Sequence, residues 1–273
     1  MTWAGGSFGT HGRCVLADNA SMMTLDGTNT WVLTEHAGGP SIVVDPGPLD
    51  DAHLDAVAAV AGEVAVVLLT HHHLDHSEGA RRFAERAGCG VRALDPAYRL
   101  GGEGLNDGDV VAVGDLEVEV VATPGHTADS LSFLVRADSA VLTGDTVLGR
   151  GTTVVAHPDG QLGAYLSSLD RLHRLAVAHN LGAIWPGHGP VITEALPALD
   201  FYLTHRRERL EQVREALRSF EAEDTVPGGD GVGDGVGDGV ARAIVERVYA
   251  DVDPALWGAA ELSVRAQLAY LHR

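Results

Sequence analysis

The chain contains no lysine: all 19 of its basic residues are arginine, set against 38 acidic ones for a formal net charge of -19. Mechanisms built on a lysine nucleophile or a phosphate-loop lysine are therefore excluded. The acidity also disfavours broad attraction to nucleic acid, which depends on basic surface, although a local arginine cluster escapes that argument. Cysteine is almost as scarce. Cys14 and Cys89 are the only two, and neither sits in a CxxC pair. They cannot build a disulfide framework and read as small semi-buried hydrophobes. No stretch approaches the roughly 18 to 20 uninterrupted apolar residues that span a bilayer. The first residues show no basic start followed by an apolar run, so no secretory signal is expected and the expected location is cytoplasmic. The hydrophobic fraction of 45% is otherwise that of a globular protein. What the chain has in plenty is histidine, 14 in all, and their placement carries the argument.

Up to about residue 122 the sequence reads as short strands with one or two helices. Trp31-Val32-Leu33 and Ser41-Ile42-Val43-Val44 are expected strands, and the continuous apolar run from Val64 to Leu69 reads as a strand buried on both faces. Ser77 to Ala87 predicts a helix with Ser77 as its cap. Val110–Val113 and Leu116–Val121 flank Gly114-Asp115 in a hairpin pattern. A similar cycle follows, with strands at Leu131–Val135, Ala140–Leu142 and Ala183–Trp185. Between the last two, Leu162, Tyr165, Leu166, Leu169, Leu172 and Leu175 recur at the helical spacing of three and four. Beyond Leu196 the character changes to helices over Phe201–Phe220, Ala241–Ala250 and Pro254–Leu271, interrupted by a Gly-Asp-Gly-Val repeat. Residues 1–198 are thus expected to form a mixed α/β domain. Residues 199–273 would form a small helical one, with a flexible Gly/Asp/Val loop at about 227–239.

Thr70-His71-His72-His73-Leu74-Asp75-His76 places four candidate ligands, His71, His73, Asp75 and His76, directly after the buried strand. Loops at the carboxyl ends of such strands are where α/β folds assemble their sites. Imidazole and carboxylate together suit zinc and neighbouring divalent ions. Three more segments repeat the pattern of an apolar strand followed by a glycine-flanked ligand: Thr123-Pro124-Gly125-His126, Thr143-Gly144-Asp145 and Pro186-Gly187-His188-Gly189. Small neighbours let the backbone turn sharply and approach a metal closely. His72, between ligands, is expected to point away.

HxHxDH, TPGHT, TGD and PGHGP in this order resemble the metallo-β-lactamase fold superfamily over nearly the whole chain. Leu25-Asp26-Gly27-Thr28-Asn29-Thr30, Leu148-Gly149-Arg150-Gly151-Thr152-Thr153 and Thr204-His205-Arg206 look like its β-lactamase-like protein 2 branch, related to glyoxalase II. The resemblance implies an α/β fold, an αββα sandwich of two similar halves, with a small C-terminal helical, winged-helix-like domain. It implies two zinc ions per chain, with iron or manganese as alternatives. His71, His73 and His126 would bind the first, Asp75, His76 and His188 the second, and Asp145 would bridge them. Asp45, at the end of the Val43-Val44 strand, matches a carboxylate that orients a ligand histidine.

Two zinc ions and two carboxylates leave excess positive charge that favours a metal-bridging hydroxide, the expected nucleophile on a carbonyl or phosphoryl centre. A thiolate then departs with little help, whereas an amide or ribose oxygen needs a proton donor. Asp75 and Asp145 are the catalytic carboxylates in this reading, and His205 is a substrate contact or proton donor. His157 is a weaker candidate for the same role. Arg206, with Arg207 and Arg209, would contact a phosphate or carboxylate, or else form a solvated face beside Glu208 and Glu211.

The favoured substrate is a small thioester or ester. The alternative is a single-strand RNA endonuclease, which resemblance to the β-lactamase-like protein 2 branch suggests most directly. Residues 200–273 hold 9 Arg against 14 Asp plus Glu, so they form no general basic platform. Lactams are expected to be weak substrates, because true metallo-β-lactamases carry Cys or a non-ligand residue where this chain has Asp145. A non-catalytic binding protein is the remaining reading. A small-molecule partner is expected, RNA is the other, and no membrane is.

Overall fold

The computed structural model describes residues 2–222 and 238–272. The first half runs β1 (Gly6–Phe8), β2 (Gly12–Leu16), β3 (Asn29–Thr34), β4 (Ser41–Val44), α1 (Asp51–Ala61), β5 (Val64–Leu68), α2 (Leu74–Ser77), α3 (Ala80–Ala87) and β6 (Gly90–Arg92). The second runs β7 (Val110–Val113), β8 (Leu116–Ala122), β9 (Leu131–Val135), β10 (Ala140–Gly144), α4 (Leu162–His179) and β11 (Ala183–Pro186). Three helices close the chain: α5 (Ala195–Ala222), α6 (Asp238–Val248) and α7 (Trp257–Leu271).

The strands form two sheets, in the orders β1-β2-β3-β4-β5-β6 and β11-β10-β9-β8-β7. Alternation along each strand decides what packs where, because successive side chains leave opposite faces. Trp31, Leu33, Ile42, Val44, Val66 and Leu68 of the first sheet meet Val118, Val120, Leu131, Phe133 and Leu142 of the second in a shared inner core. Their in-between neighbours Val32, Val43 and Val67 face outward under Leu54 and Val57 of α1 and Phe83 of α3. On the other side Leu134, Val141 and Ile184 face Tyr165, Leu169 and Leu172 of α4 and Leu199 and Tyr202 of α5. The layers are therefore helix, sheet, sheet, helix, the αββα sandwich expected.

Trp31 and Trp185, one from each sheet, stack across the inner core with ring centroids 4.9 Å apart and planes 10° from parallel. Such a pair adds about 0.5–1.5 kcal/mol beyond its buried area. Gly12 leaves room for it: a Cβ there would lie 2.4 Å from the Trp185 ring.

The helix expected over Ser77–Ala87 is two helices. Ser77 ends α2 rather than capping α3, and its hydroxyl donates to the His72 carbonyl at 2.8 Å. The N-cap of α3 is Gly79, whose N–H donates to Gly47 O at 2.9 Å and where a Cβ would lie 2.8 Å from the Pro48 carbonyl oxygen. The ligand run thus forms its own helical turn, which is what brings Asp75 and His76 round to face the site.

α5 begins six residues earlier than its periodicity suggested and runs across the boundary expected at 198/199. Its first turns belong to the sandwich through Leu199, Tyr202 and Leu203. Its later ones, through Val213 and Ala216, form a separate small core with Ile244 and Val245 of α6 and Val264 and Leu268 of α7. The Gly/Asp/Val segment lies, up to residue 237, outside the described residues. Among the described residues no helix is long and apolar enough to cross a membrane.

Candidate metal centre

The expected ligands come from the ends of β5, β8, β10 and β11 and from α2, and the fold gathers them at one end of the sandwich. His71, His73 and His126 form one set, Asp75, His76 and His188 a second, and His71, His76 and Asp145 a third that joins them. Within each set the donor atoms lie within 4.8 Å of one another.

The hydrogen bonds behind the rings determine what they offer in front. His126 Nδ1 donates to Val154 O at 2.8 Å and His188 Nδ1 to Gly27 O at 3.1 Å. His76 Nδ1 donates to Asp45 Oδ2 at 2.9 Å. The Thr70 hydroxyl donates to the same Asp45 oxygen at 2.6 Å, so it accepts from His71 Nδ1 at 2.9 Å. All four rings therefore turn Nε2 toward the site, the nitrogen that a metal would take in place of a proton.

Those lone pairs converge on one another. His73 Nδ1 lies 3.1 Å from both His71 Nε2 and His126 Nε2. In the second set His76 Nε2 and His188 Nε2 are 3.2 Å apart, with Asp75 Oδ2 at 3.3 and 3.1 Å from them. Asp145 stands between the sets, 3.3 Å from His188 and 3.7 Å from His126 through Oδ2, and 3.4 Å from His76 through Oδ1. One proton on His73 satisfies at most one of its two facing nitrogens. A tetrahedral ion with ligand bonds of about 2.0–2.1 Å has edges of roughly 3.3 Å, close to these spacings. Asp145 Oδ1 is buried with no hydrogen-bond partner. Gly187 packs so closely that a Cβ would lie 2.5 Å from that oxygen and 2.8 Å from His76 Cε1. The donors present fit divalent ions.

The electrostatics divide the same way. Burial, aided by neighbouring imidazoles, pushes His71 well below the ordinary histidine range and His73 down to about 4; burial also lowers His126. These rings are neutral, ready to coordinate. Burial opposes charge on His76 and His188 too, but the surrounding carboxylates outweigh it, holding His76 well above the ordinary range and His188 at about 9. The second set therefore holds protons beside its carboxylates, protons that a bound cation would displace.

Asp45 reaches both sets, directly through His76 and through Thr70 to His71; its other oxygen accepts the Thr70 N–H at 2.8 Å. Sequence reasoning missed Thr70, which sat unremarked beside the histidine run. It also missed the anchoring carbonyls of Val154 and Gly27, which no side-chain pattern could reveal. His72 turns from the site to Asp129, 2.8 Å away.

A cavity of about 370 Å³ opens beside the centre, between the sandwich and the C-terminal helices, with His126 and Asp145 at one end. His205 and Arg206 both line it. Arg206 is buried, donates to the Thr153 carbonyl and lies over the Tyr165 ring, 4.9 Å from its centroid. It is not part of a solvated face. Arg209 donates to Val248 O at 2.6 Å and covers Tyr249, while Arg207 is exposed, 3.6 Å from Asp170. His157 lines a separate cavity beside Tyr270.

Fold and site together define a metal-dependent hydrolase of the αββα type. Residues 23–229 match the metallo-beta-lactamase superfamily and residues 241–273 the beta-lactamase associated winged helix domain, and the chain belongs to that superfamily. It is 34% identical over 249 residues to the atrochrysone carboxyl ACP thioesterase of Aspergillus fumigatus, covering 87% of this chain and 74% of that protein. It is 32% identical over 225 residues to the beta-lactamase-like protein 2 homolog of Caenorhabditis elegans, covering 76% of this chain and 71% of that protein. Among solved structures, a beta-lactamase domain protein from Burkholderia ambifaria superposes with a TM-score of 0.76 at 21% identity, over 100% of this chain and 89% of that one.

Proposed function

We propose that the protein is a dinuclear hydrolase of small thioesters or related esters. His71, His73 and His126 would hold one ion and Asp75, His76 and His188 the other, with Asp145 between them. Zinc is the ion this donor set favours, and iron or manganese suit it as well. Such a pair, when bound, supplies a water acidified towards neutral pH and an electrophile for the oxygen that gathers charge. Residues 1–198 carry the centre and one side of the substrate cavity, and the helices beyond residue 198 wall the other.

The observation that carries this reading is the cavity's lining. Apart from the metal-centre end it is largely apolar, with Met22, Leu25, Val252 and Leu256 among its walls. Its arginines are held in place, Arg150 by the Asp26 carboxylate and Arg206 and Arg209 by the carbonyls of Thr153 and Val248, rather than set in a row along one wall. Successive phosphates of an RNA strand would find no row of free cations there. An uncharged acyl group suits it better, and the resemblance to a protein named as an ACP thioesterase supports the same substrate class. In the reaction a C–O bond forms as the C–S bond breaks, and the thiolate leaves and takes its proton from solvent. It needs no dedicated acid. His205, beside the centre, is left free to contact the substrate.

The test is a panel of an acyl thioester, a lactone, a chromogenic lactam and a labelled single-stranded RNA, each with a His73→Ala control. Thioester hydrolysis that disappears in the variant is the expected result. RNA cleavage in the absence of thioester turnover would overturn the reading.

A further inference from the structure

Four of the five histidines in the ligand sets are backed by a hydrogen bond at Nδ1, made with Thr70, Asp45, Val154 O or Gly27 O. His73 is the exception. It turns Nδ1 itself toward His71 and His126, and among the described residues its Nε2 has no hydrogen-bond partner. A ligand ring without such a bond has to be oriented by what packs beside it.

The His71 and His126 rings each lie 4.8 Å from the His73 ring, centroid to centroid. His72 packs against it as well, 5.0 Å away with the planes at 67°, an edge-to-face contact. His72 is no ligand, yet it is firmly held. Its Nδ1 donates to Asp129 Oδ1 at 2.8 Å, its carbonyl accepts the Ser77 hydroxyl at 2.8 Å, and the Tyr98 ring lies 5.9 Å from its own. The same Asp129 oxygen accepts the hydroxyl of Thr127, the residue after His126, at 2.8 Å. Asp129 therefore ties the loop after β5, in one sheet, to the loop after β8, in the other.

We propose that His72 and Asp129 are positioning residues for the first ion: together they set the His73 ring and hold the His71–His73 loop against the loop of His126. This rests on the two-ion reading of the centre. Among the described residues neither contacts the second set, whose Asp75, His76 and His188 are bonded to Thr28, Asp45 and Gly27 instead. Loss of the pair should weaken one ion and spare the other, which general destabilisation would not do.

The experiment titrates zinc into the metal-stripped full chain against a chromogenic chelator. The His72 side chain is 32% exposed and that of Asp129 14%, so replacing either empties no core position. Asp129→Ala is expected to weaken one of the two ions about tenfold. His72→Phe, which keeps a ring beside His73 but cannot donate to Asp129, should do the same, and the two together no more than either. Asp129→Asn keeps an acceptor oxygen and should stay within about threefold of the wild type. In a His188→Ala background, which spoils the second set, Asp129→Ala should still cost about tenfold; in His126→Ala, which spoils the first, it should cost nothing. An equal loss in both backgrounds, no loss in either, or losses that add between His72→Phe and Asp129→Ala would overturn the proposal. A wild type that binds a single ion, with an affinity that still depends on Asp129, would sink the two-ion reading alone. Two bound ions indifferent to Asp129 would sink this inference alone.

Discussion

Asp45 Oδ2 accepts the Nδ1–H of His76 at 2.9 Å, and the same oxygen accepts the Thr70 hydroxyl that backs His71. One carboxylate therefore orients a ligand from each set. It does so from a left-handed backbone, φ 51°, a conformation that Asn tolerates as well as Asp. Asp45→Asn keeps shape and backbone but loses one acceptor oxygen and sets an NH2 against a donor. Metal affinity is expected to fall about 10- to 100-fold, measured by competition with a chromogenic chelator. An unchanged affinity would show that the two rings are held by packing alone.

Removing the ions should destabilise the whole sandwich, because the ligands come from four separate segments and join both sheets. An ion held at about 100 times its Kd stabilises the folded state by about 2.7 kcal/mol. For a chain of this size a chelator is expected to lower Tm by at least about 5 °C, with recovery on adding zinc. A Tm insensitive to chelation would count against resident ions.

Gly12→Ala tests the inner core. The added methyl would sit 2.4 Å from Trp185 and force that ring off its stack on Trp31. Overpacking of this kind costs about 1–3 kcal/mol. Chemical denaturation should show it as a lower midpoint, while the metal content stays as in the wild type.

His53 gives a pH-dependent prediction away from the ligands. It is buried, its Nε2 lies 2.9 Å from Thr30 Oγ1, and burial lowers its pKa. The unfolded chain, with a histidine pKa near 6.5, takes up the proton first as pH falls, so the wild type loses stability below about pH 6.5. His53→Gln cannot titrate. The stability difference between wild type and variant should therefore shrink from pH 7 to pH 5, read by urea melts at each pH. A constant difference would mean that the His53 pKa is unshifted by folding.

The metal-ligand candidates were legible because each ligand is announced locally. A strand must be apolar, a sharp turn needs glycine, and HxHxDH fits in six residues, so His71, His126, Asp145 and His188 could each be marked without knowing what lay opposite. The layering was expected from the family resemblance, and in the residues themselves only the continuous apolar run Val64–Leu69 pointed to a strand covered on both faces. The split of Ser77–Ala87 was not, because Gly79 caps α3 only through a contact with Gly47, thirty-two residues earlier in the chain. Nor was the state of Arg206. A run of arginines on a helix looks solvated until tertiary packing buries one of them under the Thr153 carbonyl and the Tyr165 ring. Sequence by itself determined which side chains could bind metal, since donor chemistry and turn chemistry are properties of short segments. Only the tertiary structure decided how Asp45 serves both sets, and that His205 and Arg206 meet Asp145 around one cavity. Those relationships join residues distant in the chain, and hydrogen bonding and burial are set by the partners that folding brings alongside.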